Sequence, residues 1–238
     1  MSCLSRRLIT VPAATECRIL ERLNKFVVRI EISGSKELAF LQNTGRLREY
    51  VKRDKIGFCA PIEKPKKLRY RLFAVKDHGG GALIDTLLQA RAFERAIERN
   101  FIPWLSGYEI LRREARIGGT RIDYLLRRKH EEAVLEVKSA VSRLDGYASY
   151  PDCPSVRARK QLKAILEWVK MGGKAFLVFV ASIPNVRGFR PNHEVDPGLC
   201  DLIRECWRAG VEVRGVAMIY DPKSSTILLL DPSIPIKL

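Results

Sequence analysis

Apolar and polar residues alternate in short runs over the first third of the chain, which is the pattern of half-buried β-strands. The runs predicted to be strands are residues 22–32, 36–41, 56–62 and 70–76. Ser33-Gly34-Ser35 supplies turn residues between the first two runs. Residues 42–50 are predicted to form a loop that ends in a short helical turn, and residues 1–20 an arm that leads into the first strand. The pattern therefore predicts a unit made mainly of strands at the start of the chain.

Gly79-Gly80-Gly81 interrupts this pattern and is predicted to be a flexible break between two domains. Several short strands and one helical turn within about 65 residues favour a small β-barrel such as an OB-fold. We therefore predict an OB-fold-like domain over residues 1–80 and a second domain over residues 81–238. Exposed glycine-rich linkers are preferred sites of proteolysis, so a protease is expected to cut near the three glycines and leave two folded pieces.

The rest of the chain mixes helical and strand patterns. Apolar residues recur near a 3.6-residue period over residues 83–100, which predicts a helix. Its apolar face is predicted to consist of Leu83, Leu87, Ala90, Phe93, Ala96 and Ile97. Further helices are predicted over residues 156–170 and 199–209, strands over 176–181 and 211–220, and an irregular segment over 142–156. This order requires an α/β (α+β) arrangement, a mixed sheet flanked by helices.

One predicted strand, residues 133–139, carries two charges within an apolar and β-branched run. The two-residue period of a strand puts Glu136 and Lys138 on one face, and Val137 on the other face, towards a core. Burying an unpaired charge costs several kcal/mol, so the pattern needs an explanation. A metal ligand beside a cationic partner is one explanation, and solvated charges on a surface strand are the other.

A second acidic residue precedes this strand at a spacing that suits a hairpin. Residues 120–126 are predicted to form a strand in which Ile122 and Tyr124 lie opposite Asp123 in the alternation. The polar run over residues 127–132 suits the turn between the two strands. Antiparallel pairing of the strands is therefore expected to bring Asp123 close to Glu136.

The resulting Asp…Glu-x-Lys arrangement resembles that of the PD-(D/E)XK nuclease superfamily. Two carboxylates can hold a hard divalent cation, Mg²⁺ or Mn²⁺, through oxygen. Such a metal lowers the pKa of a bound water and neutralises charge at the scissile phosphate, and a lysine beside the water can orient it or stabilise developing charge. The resemblance implies Asp123 and Glu136 as metal ligands and Lys138 as a catalytic residue.

Other polar residues are candidates for the same site. Glu114 or Glu94 is expected to complete the metal shell, and Gln161 to orient the lysine or a water. Glu98 lies four residues after Glu94, so either glutamate can supply the acid that such nucleases often place on a helix. A solvated helix face is the alternative for both glutamates.

The formal net charge of +16 is distributed unevenly, with 18 lysines and arginines against 8 acidic residues in residues 1–80. An excess of this size favours a polyanionic partner, most simply DNA. Solubility, or a source whose proteins are generally basic, is the alternative. Whether the DNA is duplex or single-stranded stays open, and so does a homodimer.

The candidate contacts to DNA lie mainly in loops of the predicted barrel. OB-folds bind strands by stacking bases on aromatic residues and by basic grooves, although most of the phenylalanines here are expected to fill the barrel. The backbone amides of Asn43-Thr44-Gly45, beside Arg46, could hold a phosphate or form only a capped turn. The predicted contacts are Asn43, Thr44, Arg46, Arg48, Lys66, Lys67, Arg69 and Arg157.

The six cysteines include no Cys-x-x-Cys pair, which argues against a structural zinc site. They are expected to be small buried residues in a reducing cytoplasm, and a disulfide stays open for a hyperthermophilic source. No apolar run approaches the roughly 18 residues of a membrane-spanning helix. The N-terminus also lacks the apolar region of a signal peptide. We therefore predict a cytoplasmic protein without membrane contact.

Nearly the whole chain resembles the sugar fermentation stimulation protein A family. The matching stretches are Asn43-Thr44-Gly45, Lys67 with Tyr70, Asp85-Thr86, residues 121–126, residues 136–139, Tyr150-Pro151-Asp152 with Arg157, and residues 210–213. The resemblance implies DNA binding, with an OB-fold at the N-terminus and a nuclease-like domain at the C-terminus. The chain departs from the family pattern at Gln42, Ala90, Arg95 and Gln161, where the family usually has proline, asparagine, glutamate and histidine.

These departures bear on the helix acid and on the glutamine. Ala90 weakens a site role for its helix, and Arg95 leaves Glu94 or Glu98 as the helix acid, whereas Gln161 is compatible with nuclease relatives that place a glutamine near the site. We expect a DNA-binding protein with divalent-metal-dependent nuclease activity. The alternative is a non-catalytic DNA-binding regulator on a nuclease-derived fold, and nothing in the sequence supports the sugar site that the family name suggests.

Overall fold

The computed structural model describes residues 6–65 and 67–238, which form a mixed α/β fold. The strands are β1 (Arg6–Thr10), β2 (Thr15–Arg22), β3 (Val27–Ile32), β4 (Ser35–Phe40), β5 (Ile56–Pro61), β6 (Tyr70–Asp77), β7 (Gly80–Leu83), β8 (Glu109–Ile117), β9 (Thr120–Arg128), β10 (Glu131–Ala140), β11 (Ser142–Leu144), β12 (Tyr147–Tyr150), β13 (Lys174–Ala181), β14 (Phe189–Pro191), β15 (Glu212–Asp221) and β16 (Thr226–Asp231). The helices are α1 (Thr86–Glu98), α2 (Val156–Lys170) and α3 (Pro197–Arg208). The predicted fold class is confirmed.

Five strands close into a barrel near the start of the chain. They are hydrogen-bonded in the order β4-β3-β2-β5-β6, and parallel pairing of β4 with β6 closes the circle. Ile19, Ile30 and Leu72 are among the residues that fill the interior, and each is completely buried. Inward-pointing apolar residues alternate with outward-pointing polar ones along such strands, which explains the alternation in the sequence.

The predicted continuous strand over residues 22–32 is wrong, because the chain turns between β2 and β3. Oδ1 of Asn24 accepts a hydrogen bond from N of Phe26 at 2.8 Å. Asparagine side chains that bond to the backbone two residues ahead favour turns over strands. Strand β2 ends before this turn and begins at Thr15, inside the segment predicted to be an arm. Strand β1 lies in the same segment and pairs with β16.

The predicted flexible break at the three glycines is also wrong. Gly79 lies in a turn with a φ of 85°, whereas Gly80 and Gly81 are buried in β7, which pairs with both β6 and β15. A Cβ at residue 81 would lie 2.9 Å from Cδ1 of Tyr220, so glycine permits the close approach of these strands. The division between residues 80 and 81 stays a prediction, and one sheet runs through it.

Beyond β7 the sheet continues as β15-β13-β10-β9-β8 and is covered on both faces. Strand β13 lies between its parallel neighbours β10 and β15, so it is central as predicted. Its residues alternate between two buried clusters, with Phe176 beside α1 residues and Leu177 beside residues of α2 and α3. Helix α1 thus covers one face of the sheet, and α2 and α3 cover the other.

Helix α1 begins later than predicted and turns a different face to the core. Asp85 caps its start, and Oδ1 of this residue accepts a hydrogen bond from N of Leu88 at 2.8 Å. Leu83 belongs to β7, and Leu87 is 40% exposed, so neither lies on the buried face of the helix. Phe93, Ala96 and Ile97 are buried as predicted. The start of the face was wrong because the last residues of a strand were counted into the helical period.

The segment predicted to be irregular, residues 142–156, contains strands β11 and β12. They form a second, three-stranded sheet with β14. Strands of three or four residues contain too few positions for alternation to be recognised, which explains why the sequence pattern missed them.

Four cysteines in the described part of the chain, at positions 17, 59, 200 and 206, are buried, and Cys153 is half-buried. All five are free thiols, and the sulfur atoms of Cys17 and Cys59 lie 3.1 Å apart inside the barrel. Cys3 lies outside the described residues. Over residues 6–65 and 67–238, every helix is too short or too polar to cross a membrane.

We expect a non-specific protease at limiting concentration to leave β7, residues 80–83, intact. The backbone of β7 is buried and paired on both sides, and proteases need an exposed segment. The exposed Gly118-Gly119 turn between β8 and β9 is the matched control, and mass spectrometry of the first fragments measures both sites. A first cut within residues 80–83 that leaves two folded fragments would instead support a flexible linker.

Candidate active site

The candidate site is a fork between β9 and β10. Backbone pairing of the two strands ends at Tyr124 and Leu135. The next residues towards the fork are Asp123 and Glu136. Oδ2 of Asp123 accepts a hydrogen bond from N of Val137 at 2.8 Å. Oε2 of Glu136 accepts one from N of Asp123 at 3.1 Å. The two carboxylates thus take the place of ladder hydrogen bonds, and the structure brings them together as predicted.

The side-chain alternation of β9 slips at this fork. Ile122 and Tyr124 were predicted to share the face opposite Asp123, but Ile122 packs in the cluster that contains α2, and Tyr124 in the cluster that contains α1. Regular alternation requires regular pairing, and the pairing is lost here. On β10 the alternation persists, because Val137 packs against the α1 cluster while Glu136 faces α2.

Lys138 shares a face of β10 with Glu136, and both side chains are buried. Nζ of Lys138 donates hydrogen bonds to Oε1 of Glu136 at 2.6 Å and to Oε1 of Gln161 at 2.8 Å. Nε2 of Gln161 donates to the carbonyl oxygen of Arg121 on β9 at 3.0 Å. The ammonium is therefore held between a carboxylate and an amide, and α2 fixes that amide to the strand that carries Asp123.

Burial changes the acidity of both carboxylates. It raises the pKa of Glu136 to about 7, the charge of Lys138 opposes the rise, and the charge of Asp123 adds to it. Burial also raises the pKa of Asp123, against the N–H of Val137 and the charges of Lys138 and Arg157. Protons therefore compete with any cation for the Glu136 oxygens near neutral pH.

A cavity of about 570 Å³ lies on the α1 side of the fork. Its lining includes Asp123, Glu94, Glu114 and Ser139. Both oxygens of Glu94 lie 2.9 Å from guanidinium nitrogens of Arg113, and Oε1 of Glu114 lies 3.2 Å from Nη1 of Arg121. Glu98, the other candidate on the helix, pairs with Arg95 instead. In the part of the chain that the structure describes, no three His, Cys, Asp or Glu side chains form a metal cluster.

Two features of the cavity had no signal in the sequence. Oγ of Ser139 is buried without a hydrogen-bond partner among the described residues. Glu114 has a φ of 51°, an unusual backbone conformation for a residue other than glycine, in the edge strand β8. The cavity that Asp123 lines thus also contains an unpaired polar atom and a residue with an unusual backbone conformation.

The Asn43-Thr44-Gly45 loop of the barrel was predicted either to hold a phosphate or to form only a capped turn. The structure shows a capped turn. Nδ2 of Asn43 donates to the carbonyl oxygen of Ile84 at 2.8 Å, and its Oδ1 accepts from N of Gly45 at 2.8 Å. N of Leu47 donates to Oδ2 of Asp152 at 3.2 Å. The side chain of Asn43 thus already occupies the amide of Gly45, one of the three that were candidates for holding a phosphate.

Asp152 joins this loop to the candidate site, a role that sequence reasoning did not assign. Gly45 lies so close to Asp152 that a Cβ at residue 45 would overlap with both carboxylate oxygens. Burial raises the pKa of the Tyr150 phenol, and the charges of Glu136 and Asp152 raise it further, so both acids lie within electrostatic range of this ring. The only sequence signal was the family stretch Tyr150-Pro151-Asp152.

The remaining predicted DNA contacts lie on several surfaces. Thr44, Arg46 and Arg48 are exposed on the barrel loop. Lys67 and Arg69 line a basic cavity of about 410 Å³, and Arg69 lies 3.7 Å from Glu37. Arg157 is exposed at the start of α2 and near enough to Asp123 to lower its pKa. Lys66 lies outside the described residues.

Replacing the buried lysine should destabilise the protein in a pH-dependent way. Lys138→Met removes the charge that lowers the pKa of Glu136, so this pKa rises further above its value in the unfolded chain, and stability is lost as the pH rises through it. Urea unfolding should show a loss of about 3 kcal/mol at pH 8 and a clearly smaller one at pH 5.

The matched control is Lys170→Met, which removes a half-exposed lysine at the end of α2 that pairs with Glu167. It should change the free energy of unfolding by no more than about 0.5 kcal/mol at either pH. Equal losses at pH 5 and pH 8 for Lys138→Met would contradict the assigned coupling between the lysine and Glu136.

Comparisons with known proteins agree with the fold described above. The family model described as "Sugar fermentation stimulation protein RE domain" matches residues 87–224, and "SfsA N-terminal OB domain" matches residues 20–84. The sugar fermentation stimulation protein homolog of Pyrococcus furiosus is 42% identical, covering 89% of this chain and 92% of its own. That of Archaeoglobus fulgidus is 41% identical, covering 97% and 99%. A solved structure, that of Pyrococcus furiosus SfsA in complex with Ca²⁺, matches with a TM-score of 0.94 at 38% identity, over 98% of this chain and 100% of that one. The chain therefore belongs to the sugar fermentation stimulation protein family.

Proposed function

We propose that this protein is a divalent-metal-dependent nuclease that hydrolyses phosphodiester bonds in DNA. The observation that carries the proposal is the fork between β9 and β10, where two carboxylates lie beside a buried lysine. Charges cost free energy to bury, and an arrangement of two acids, an ammonium and an amide is more than the fold requires for packing. Two carboxylates and an ammonium at this position can polarise a phosphate and a water molecule.

The roles proposed for the side chains follow from their contacts. Asp123 is a ligand with one oxygen bound to N of Val137, which leaves its second oxygen for a cation. Glu136 is a ligand that also restrains Lys138. Lys138 orients a water or stabilises charge on the phosphate. Gln161 restrains the position of the Lys138 ammonium through a hydrogen bond. Glu94 and Glu114 complete the shell only after leaving their arginine partners.

Asp123 and Glu136 fit a hard divalent cation. Carboxylate oxygens are the donors that such ions prefer, and Mg²⁺ commonly uses one or two carboxylates together with water and substrate phosphate. When bound, the ion would supply charge neutralisation at the phosphate and a more acidic water. The solved Pyrococcus furiosus SfsA is a complex with Ca²⁺, which supports a site for a divalent cation in this family.

The charge distribution supports DNA as the substrate. The chain carries a net charge of +16, and the barrel region supplies much of the excess. Phosphate neutralisation by lysine and arginine releases counterions and dominates affinity for DNA. The barrel is proposed to hold the nucleic acid while the fork performs the hydrolysis.

A second candidate is a DNA-binding regulator without turnover. It is favoured by the ion pairing of three acids at or beside the fork, because Lys138, Arg113 and Arg121 already balance Glu136, Glu94 and Glu114. A nuclease-derived fold that had lost its metal could persist in this form. Metal binding and cleavage therefore decide between the two candidates.

DNA affinity should fall steeply between about 50 and 200 mM salt, because binding releases counterions. Changing Arg46 and Arg48 together to alanine should make the slope of log K against log salt less steep by about 1 for each lost phosphate contact. Arg208→Ala, an exposed arginine on α3, should leave the slope unchanged. Fluorescence anisotropy with a labelled oligonucleotide measures it, and binding that is independent of salt would contradict the proposal.

Asp123→Ala should abolish metal-dependent cleavage of plasmid, linear duplex or single-stranded DNA, and should leave DNA binding intact or slightly stronger. Asp123→Asn keeps an oxygen that can accept the hydrogen bond from N of Val137. This variant therefore removes the negative charge while the hydrogen bond that shapes the fork is retained. Lys138→Ala should lower turnover by about 100-fold or more with a smaller effect on metal affinity. Asp145→Ala, an exposed acid paired with Arg190, is the control.

Calorimetry with Mn²⁺ in the cleavage buffer completes this test. Equal binding of Mn²⁺ by wild type and Asp123→Asn would exclude the proposed metal site. Binding that is lost in the variant, without cleavage of any DNA by wild type, would favour the regulator over the nuclease. Cleavage that requires Mg²⁺ or Mn²⁺ and is stopped by EDTA would support the nuclease.

A further inference from the structure

Phe26 stands out among the aromatic residues of the barrel. It is 48% exposed at the tip of the β2–β3 hairpin. Phe58 and Tyr50 are buried, Phe73 is completely buried, and the other aromatic side chains of the described barrel residues are half-buried. An exposed phenylalanine costs free energy in water, and the sequence pattern had assigned most of these rings to the interior. Among the aromatic side chains of the described barrel residues, Phe26 is therefore the one most accessible to a partner.

The backbone on both sides of Phe26 is fixed. Its N donates to Oδ1 of Asn24 at 2.8 Å, and its carbonyl oxygen accepts from N of Leu41 at 2.8 Å. A ring on a restrained backbone loses little conformational freedom when a second flat group packs against it. The tip of the β2–β3 hairpin is thus preorganised by backbone hydrogen bonds.

Arg22 fastens this tip to the neighbouring loop of the barrel. Its Nη1 donates to the carbonyl oxygen of Arg46 at 2.6 Å, and its Nη2 to that of Asn43 at 3.4 Å. Its Nε and Nη2 also donate to the carbonyl oxygens of Asn24 and Lys25 at 3.2 and 3.3 Å. One guanidinium uses its donors to hold two loops together. Phe26 and the loop around Arg46 consequently form one continuous surface.

This surface is cationic. Lys25, Arg46 and Arg48 are exposed, and none of them forms an ion pair with a residue that the structure describes. Elsewhere on the barrel, Arg18 and Arg29 are paired with glutamates. Positive charge without a partner beside an exposed ring matches a chain that carries phosphates and flat bases.

The surface also adjoins the candidate active site. N of Leu41 donates to the carbonyl oxygen of Phe26 at 2.8 Å, so the loop that follows β4 starts beside this ring. The next residue of that loop, Gln42, lines the same cavity as Asp123. Two consecutive residues therefore connect the ring with the candidate site.

We propose that Phe26 is a base-stacking platform for single-stranded DNA, and that Lys25, Arg46 and Arg48 hold the phosphates of the strand as it runs to the fork. The proposal rests on the proposed function and gives the form of DNA that the site takes. Stacking on one ring tolerates any base, so it confers no sequence preference. The strand bound in this way leads its backbone towards Asp123 and Glu136.

Duplex DNA does not fit the ring equally well. The bases of a duplex are stacked on one another and present edges rather than faces, so stacking on Phe26 would require a base pair to open. A single strand offers its bases without that cost, and a barrel of this kind engages about 4–16 nucleotides. The exposed ring therefore favours single strands, whereas the cations alone would bind both forms.

The test measures affinity by fluorescence anisotropy with a labelled single-stranded oligonucleotide of about 16 nucleotides and with the matching duplex. EDTA is present, so cleavage does not contribute. Phe26→Ala should weaken single-strand binding by about tenfold, the loss expected for one stacked base, and leave duplex binding within about twofold. Phe26→Trp should retain wild-type affinity, because indole also stacks on bases.

Trp207→Ala is the matched control, since Trp207 is 56% exposed on α3 and lies outside the barrel. It should alter neither affinity, and thermal melting of each variant confirms that the fold is intact. Equal effects of Phe26→Ala on single strand and duplex, no effect on either, or failure of Phe26→Trp to bind like wild type would each overturn the platform.

Failure of this inference can be told apart from failure of the proposed function. Wild type that cleaves DNA in Mg²⁺ while Phe26→Ala binds single strands normally would retain the nuclease and remove the platform. Wild type that cleaves nothing, with a selective loss of single-strand binding in Phe26→Ala, would retain the platform on a protein without turnover.

Discussion

The buried contact between Lys138 and Glu136 constrains much of the surrounding structure. Each charge taken out of water costs several kcal/mol, and attraction between the two offsets this only when further hydrogen bonds complete the site. Gln161 supplies one of these bonds and N of Asp123 supplies another. Helix α2 must therefore pack over β10 in one register, and β9 must leave its regular pairing at Asp123. The same burial raises the pKa of Glu136 to about 7, which makes the contact sensitive to pH.

The barrel is tied to this site by polar contacts rather than by a flexible linker. The loop that follows β4 receives Asp152 beneath Gly45, where no side chain would fit. On another side, Asp77 at the end of β6 accepts from Nη2 of Arg143 at 2.9 Å and from the hydroxyl of Tyr50 at 3.2 Å. Buried or half-buried polar contacts of this kind require particular partners, and so they fix the position of the barrel more narrowly than apolar packing would.

The sequence revealed those features that depend on local period. Alternation predicted the barrel strands β3 to β6, though not β2, and the shared face of Glu136 and Lys138. The helical period predicted α2 with Gln161 on it. Features that depend on side-chain bonding escaped it. Asn24 ends a strand that composition would continue, and the fork at Asp123 breaks the alternation of Ile122 and Tyr124.

Ion pairs were likewise beyond the reach of a sequence pattern. Nothing local indicates that Glu94 pairs with Arg113 and Glu114 with Arg121, because the partners come from other strands. These pairs differ in kind from the one at Lys138. Arg121 and Glu114 are 52% and 71% exposed, and an exposed pair contributes only about 0–1 kcal/mol. Glu94 is 17% exposed and both of its oxygens bond to Arg113, so this pair is held more firmly. Under the proposed function, burial keeps Glu136 and Lys138 in place when a cation binds at the fork, and Glu114 is the acid that can leave its arginine at small cost. Charge balance without metal is then no obstacle to metal binding, because the Glu114 pair that opens is the weak one.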